Sequence, residues 1–216
     1  IYGGGCSSST TSAVPDNNTI DLISLSDSTY NNCTITVRDA AGHVGNTITL
    51  SSFTIDTTAP TVSSTSPTDN QNKVQLSDNI VVTFSESMDT TSITTNTSNT
   101  DCSGSFQLSF NNFSDCIQMS SSPSASNSNK TFTFVPSDNV TYSTTYKFRV
   151  TTGVEDIFGH TMSGQYQTTN GFVASSDNAN FVVVGLDGKI VTSANGTTCW
   201  ISRTSGTTEH LWEISN

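Results

Sequence analysis

Apolar residues in this chain return at every second position, in short runs, and almost nowhere at every third or fourth. CTITVRD (33–39), KTFTFVP (130–136) and TYKFRVT (145–151) are three such runs. Side chains of an extended strand point alternately to its two faces, so this period marks strands with one buried and one wet face. Ser, Asn, Asp and Gly crowd the intervals, and these residues favour turns. No stretch carries the spacing of an amphipathic helix. The expected fold class is therefore all-β.

Composition agrees with this. Apolar residues make up 32% of the chain and charged residues only 12%, with Ser and Thr filling the difference. Thr suits strands and Ser suits turns. Recurrent apolar runs with so little charge argue against a disordered chain.

The clearest joint is FTIDTTAPTV, residues 53–62. A strand ends near Asp56, and Pro60 cannot donate to a ladder and holds Ala59 extended. A new alternation begins at Val62. Before the joint, strands are expected near Ile1–Gly4, Thr19–Leu22, Cys33–Arg38 and Thr47–Ile55, with Gly42 at the left-handed position of the DAAGHVG hairpin. Four strands are about half of a sandwich. After it, strands fit Thr61–Ser64, Lys73–Leu76, Asn79–Phe84, Gly104–Phe110, Ile117–Ser120, Thr131–Phe134, Thr145–Thr151 and Gln165–Thr169, with a polar loop or hairpin tip at 120–130. From Gly171 the texture changes to short strands joined by the LDGK (186–189) and ANGT (194–197) turns, with bulk from Trp200 and Trp212. Three parts follow: 1–57, 58–170 and 171–216.

The net charge is −11 at pH 7 and the sequence pI about 4.2. An acidic chain is repelled by nucleic acid and by anionic membrane surfaces, so neither is an expected partner. No apolar run is long enough to span a bilayer.

There are five cysteines, at positions 6, 33, 102, 116 and 199, with no CxxC pair and no zinc spacing. The simplest pairing is local: Cys6 with Cys33, and Cys102 with Cys116. Cys199 is left as a free thiol or one that pairs between molecules. The first bridge closes a loop worth about 3–4 kcal/mol in the loop-entropy account. Disulfides imply an oxidising compartment.

The residues offer little chemistry of catalysis. No GxSxG, HExxH or P-loop occurs. His43 and His160 occupy matching turns, AAGHVG and IFGHTM, and His210 lies near Trp212. Glu86 and Asp89 in FSESMD form the best carboxylate pair, and a structural duty at a strand end explains them more simply than acid–base work. Glu155 and Asp156 open the second His turn. An enzyme is not expected.

TYNNCTITVRDAAGHVGNTITLSSFTIDTTAP (29–60) resembles the C-terminal half of a tandem bacterial Ig-like repeat, with His43 in place of the usual turn Asn. On that resemblance the IYGGGC stretch is a mid-domain strand and the first strands of the sandwich are missing. Residues 59–169 resemble another bacterial Ig-like family found in surface proteins and large adhesins, through SPTDN, VVTFSESMD and FTFVPSDNVTYSTTYKFRVTTGVEDIFGHTM. FVVVGLDGKIVTSANGTTCW with SRTSGT resembles a single repeat of a β-propeller family. One repeat cannot close a propeller.

These resemblances imply tandem Ig-like β-sandwiches, the first incomplete, followed by a hairpin or propeller-blade-like segment. They imply a bacterial extracellular or cell-surface location. An open sandwich invites a strand from another chain, and head-to-tail completion builds a fibril by donor-strand exchange. The expected function is a non-enzymatic structural subunit of such a filament, with self as partner. The alternative is a monomeric slice of a large multi-repeat adhesin that contacts glycan or protein. No cofactor is expected apart from Ca²⁺. Related adhesin repeats can hold that ion at module junctions, which makes Asp39, Asp56 and Asp69 candidate ligands beside the plain reading of solvated turn residues.

Overall fold

The computed structural model describes residues 1–175 except 11, 15–16, 76–77, 138–140 and 142, together with the backbone of three strands at 181–184, 189–193 and 201–204. The LDGK and ANGT turns, Cys199, Trp200, His210 and Trp212 lie wholly or partly outside the described residues. Every regular element among them is a strand. No helix there is long and apolar enough to cross a membrane. The chain divides into two compact units, Ile1–Thr58 and Ala59–Asn216.

The first unit holds β1 (Tyr2–Gly3), β2 (Ser28–Tyr30), β3 (Thr34–Arg38), β4 (Val44–Thr49) and β5 (Phe53–Ile55). They form one sheet ordered β1-β3-β4 and a separate β2-β5 pair. The expected strand at Thr19–Leu22 is reduced to a single Ser8–Leu22 bridge. Its place is taken by β2, where Tyr30 stacks on Phe53 at 5.4 Å and Thr29 meets Thr54 at 3.0 Å. The expected strand Thr47–Ile55 breaks into β4 and β5, because its two halves pair with different partners, β3 and β2.

The second unit is a sandwich. One sheet is ordered β10-β11-β8-β6, where β6 is Val62–Ser66, β8 Ile80–Phe84, β10 Ser124–Ser126 and β11 Thr131–Phe134. The other is ordered β13-β12-β14-β7, with β9 also paired to β12. Its strands are β7 (Val74–Gln75), β9 (Phe106–Ser109), β12 (Thr145–Val150), β13 (Tyr166–Gln167) and β14 (Phe172–Ser175).

The period of two does what it implies. In β8, β11 and β12 every second residue is buried. Phe106 of one sheet stacks on Phe134 of the other at 3.7 Å, and Phe84 meets Phe132 edge-on at 5.8 Å. Burying a Phe or Leu side chain contributes about 1.5–3 kcal/mol, so this aromatic layer dominates the stability of the unit. β14, past the expected boundary at 170, places Phe172 and Ala174 in the same core and runs parallel to β7. The expected strand at Ile117–Ser120 survives only as a Met119–Pro136 bridge. Beyond 175, β15 (Phe181–Val184), β16 (Lys189–Ser193) and β17 (Ile201–Thr204) pair as an antiparallel meander.

The two units differ in what they bury. Among its described residues the second has a continuous core of nineteen buried apolar residues from Val74 to Ala174. Among the described residues of the first, the buried apolar side chains are Cys6 and Cys33.

Candidate functional site

The sequence repeats one pattern, Asp-x-x-Gly-His, at 39–43 and at 156–160. The structure builds the same turn from both copies. In each, the Asp N–H donates to the His carbonyl, at 3.0 Å for Asp39 and 3.0 Å for Asp156. The Gly N–H returns to the Asp carbonyl, at 3.1 Å for Gly42 and 3.2 Å for Gly159. The His N–H donates to Asp Oδ1, at 2.8 Å for His43 and 2.9 Å for His160. The His Nδ1 meets Asp Oδ2, at 2.8 Å and 2.9 Å.

Each glycine supplies the backbone that closes the loop. Gly42 has φ +93° and Gly159 φ +89°, a region costly to residues with a Cβ. A Cβ there would touch nothing within 4 Å, so conformation rather than space requires glycine. An ionised carboxylate only accepts, so the proton of a neutral imidazole sits on Nδ1 and donates to the Asp. The pair is a lock that holds a hairpin tip shut.

Charge follows this geometry. The His43 ring, then the His43 N–H, hold the Asp39 carboxyl below the usual carboxylate value. Burial pushes the Asp156 carboxyl up, but the His160 N–H, the His160 ring and the Phe158 N–H outweigh it and leave it lowered. Phe158 N–H donates to Asp156 Oδ1 at 2.7 Å.

The surroundings separate the two turns. The Asp156 side chain has no exposed area and His160 is 35% exposed, whereas Asp39 and His43 are 55% and 82% exposed. The cover over Asp156 is the segment that begins FSESMD. Asp89 N–H donates to Glu155 O at 2.9 Å, and Ile157 N–H donates to Ser87 O at 3.1 Å. Met88 sits opposite Asp156 with 0% exposure. A carboxylate oxygen of Glu86 lies within 4.8 Å of one on Asp156. Asp89 also closes its own turn, accepting from the N–H of Thr91 at 2.9 Å. In this setting Glu86, Asp89, Glu155 and Asp156 organise the mouth of a hairpin.

The three candidate calcium ligands each accept backbone N–H groups of a turn. Asp39 belongs to the first lock. Asp56 accepts the Thr58 N–H at 3.0 Å. Asp69 accepts three backbone N–H groups, from Asn170 at 3.0 Å, Gly171 at 2.6 Å and Thr169 at 3.2 Å. That cradle fastens the turn between β13 and β14. Asp27 was not singled out by the sequence; it accepts the Thr57 and Thr58 hydroxyls at 2.8 Å each. Its signal was weak, since Asp in SLSDSTY resembles any other turn residue.

Both local disulfides are present. Cys6 and Cys33 have Cα atoms 5.3 Å apart, and Cys102 and Cys116 4.9 Å apart. The second ties the two ends of the segment 102–116, which carries β9 and the turn that follows it. Inside it, Ser109 Oγ accepts the N–H groups of Asn111 at 3.2 Å and Phe113 at 2.9 Å, and the Arg149 guanidinium sits 4.2 Å over the Phe113 ring. The loop presents Phe110 with 53% exposure.

The family profile described as bacterial Ig-like domain matches residues 56–176, more than half of the chain. The chain belongs to the bacterial Ig-like domain family. Among solved structures, the surface layer protein SbsC, domains 1-6, is similar at 17% identity and TM-score 0.40, over 67% of this chain and 19% of that one. The N-terminal part of the bacterial S-layer protein SbsC is similar at 15% identity and TM-score 0.39, over 68% of this chain and 33% of that one. The Ig-like chain thus spans between a fifth and a third of those structures. Comparison with curated proteins finds no match.

Proposed function

We propose that this Ig-like chain is a non-enzymatic structural subunit of a bacterial extracellular or cell-surface assembly, its first unit completed by a strand from a neighbouring subunit. One observation carries the reading. The first unit forms its sheets but leaves large apolar side chains exposed: Ile1, Val14, Ile23, Val37, Val44 and Ile48 are 51–63% exposed. All six residues of β4 are exposed as well. Exposed apolar side chains on a bare strand edge are features that natural proteins cover. Membership in the bacterial Ig-like family and the two disulfides favour a location outside the cytoplasm. The lock turns and staples favour a load-bearing module over a moving one.

A second reading is a segment of a monomeric adhesin. Phe110, exposed at 53% on the disulfide-stapled loop, favours it, because an exposed aromatic on a rigid loop suits glycan or protein contact. Electron microscopy of the native material, with and without reductant, separates the two. Regular fibres support completion by neighbours. Discrete monomers at every concentration contradict it and leave the adhesin reading.

A further inference from the structure

The turn between β13 and β14 contains an Asn-Gly pair, Asn170–Gly171. Glycine is required at the second position. Its φ is +84°, and a Cβ on it would collide with the Tyr146 carbonyl oxygen, a backbone atom that cannot give way. With no side chain of its own, Gly171 leaves its nitrogen unshielded toward the residue before it. Asn170 is exposed, and its side-chain amide has no hydrogen-bond partner among the described residues. An electrophilic amide carbon and an unshielded backbone nitrogen therefore belong to adjacent residues.

Asp69 decides whether they can meet. Its Oδ1 accepts the N–H of Asn170 at 3.0 Å and that of Gly171 at 2.6 Å, and its Oδ2 accepts that of Thr169 at 3.2 Å. The Gly171 carbonyl in turn accepts the Asn70 N–H at 2.6 Å, and Val173 N–H donates to Gln71 O at 2.9 Å. Two successive N–H groups converge on one oxygen only when their nitrogens lie on the same side of the Cα–C bond between them, the nest that a positive φ at the second residue completes. Ring closure instead needs the Gly171 nitrogen to swing round that bond until it eclipses the Asn170 Cβ. Charge works in the same direction. The attacking nitrogen must give up its proton, a carboxylate is far too weak a base to take one from an amide, and its negative charge opposes the nitrogen anion.

We infer that Asn170–Gly171 is a self-modification site that Asp69 holds closed. When the turn opens, the Gly171 nitrogen attacks Asn170 Cγ. The new N–Cγ bond forms, the Cγ–Nδ2 bond breaks, and ammonia leaves with the proton that the Gly171 nitrogen gave up. One solvent water then opens the succinimide at either carbonyl, leaving aspartate or isoaspartate at position 170. The net change is water for ammonia, with nothing oxidised or reduced. Either product sets a second carboxylate beside Asp69, where like charges oppose reclosure. Isoaspartate also routes the backbone through the side chain and adds a methylene to the turn. The change is one-way, and it marks chains in which this turn has opened. It is independent of the assembly reading.

The test holds the full chain in warm, mildly alkaline buffer and follows residue 170 by peptide mapping with tandem mass spectrometry, which separates it from the second Asn-Gly pair at 195–196. Isoaspartate is counted by enzymatic methyl labelling. The same chain unfolded in guanidinium chloride gives the rate with the turn open. The native chain is expected to react more slowly than the unfolded one by about a hundredfold or more. Asp69→Ala, with the core amides of β8, β11 and β12 still protected, speeds the native reaction by about tenfold or more, and Asp69→Asn, which keeps an uncharged acceptor, falls between. Modification of the native wild type as fast as the unfolded chain, or a folded Asp69→Ala no faster than wild type, overturns the inference. If Asp69→Ala loses its core protection, Asp69→Asn takes its place: a rate above wild type is expected, and a rate equal to it overturns the inference.

Discussion

Replacing Asp156 with alanine tests how much the lock turn contributes to the second unit. Three bonds end on its carboxylate, from Phe158 N–H at 2.7 Å, His160 N–H at 2.9 Å and the His160 ring at 2.9 Å. Hydrogen bonds to a charged group are each worth about 1.5–3 kcal/mol net. The cost of burying the charge, with Asp156 1% exposed, offsets part of that sum, and the partly exposed donors recover water once freed. The expected loss is about 2–4 kcal/mol. Asp156→Asn keeps an acceptor for both backbone N–H groups and asks only that His160 change tautomer, so about 1–2 kcal/mol is expected. Asp39→Ala serves as an internal control, because only the two bonds from its histidine end on the Asp39 carboxylate and in an exposed turn they compete with water, so its effect is much smaller. Native-state hydrogen exchange of core amides in β8, β11 and β12 reads the second unit by itself. The dependence on pH follows from the lowered Asp156 value. The carboxylate's contribution is complete above the unfolded carboxyl value of 3.8 and is lost as pH falls below it through the depressed folded value. The gap between wild type and Asp156→Asn therefore closes in acid. An Asp156→Ala loss no larger than that of Asp39→Ala, or a gap that widens in acid, refutes the reasoning.

Three further outcomes follow from the same geometry. Gly159→Ala costs about 1–2 kcal/mol in a urea titration, and Gly159→Asn costs less, because the site needs positive φ and not extra room. Asp69→Ala loses the cradle for three N–H groups and about 1–3 kcal/mol, seen as faster exchange of Thr169, Asn170 and Gly171. Reduction, or Cys6→Ser, removes about 3–4 kcal/mol from a unit whose buried apolar side chains, among the described residues, are the two cysteines themselves, so the β1-β3-β4 sheet loses protection while the second unit stays folded.

The sandwich of the second unit was legible because KTFTFVP and TYKFRVT alternate without interruption, and a one-residue slip would turn their Phe residues to water. The hairpin at Gly42 was legible from a glycine between two alternating runs. Local signal failed where pairing is long-range. β2 exists because Tyr30 finds Phe53, and β14 because Phe172 and Ala174 reach the core beside Val74; neither stretch announces its partner. The candidate site was half legible. His43 and His160 stood out as turn residues, but their ring bonds to Asp39 and Asp156 need the closed loop to become visible. Asp69 was visible only as an acid near the joint, since the three N–H groups it accepts lie about a hundred residues away. What divides the two turns, cover over one and none over the other, depends on a distant segment and leaves no mark at either turn.

The most direct test of the account is hydrogen exchange of the first unit as a function of chain concentration. If a neighbour completes it, the amides on the outer edge of β4 slow by at least about tenfold on assembly, while amides of β8, β11 and β12 keep their rates. Exchange along the outer edge of β4 that is fast and independent of concentration, in material shown to be assembled, contradicts completion by a neighbour.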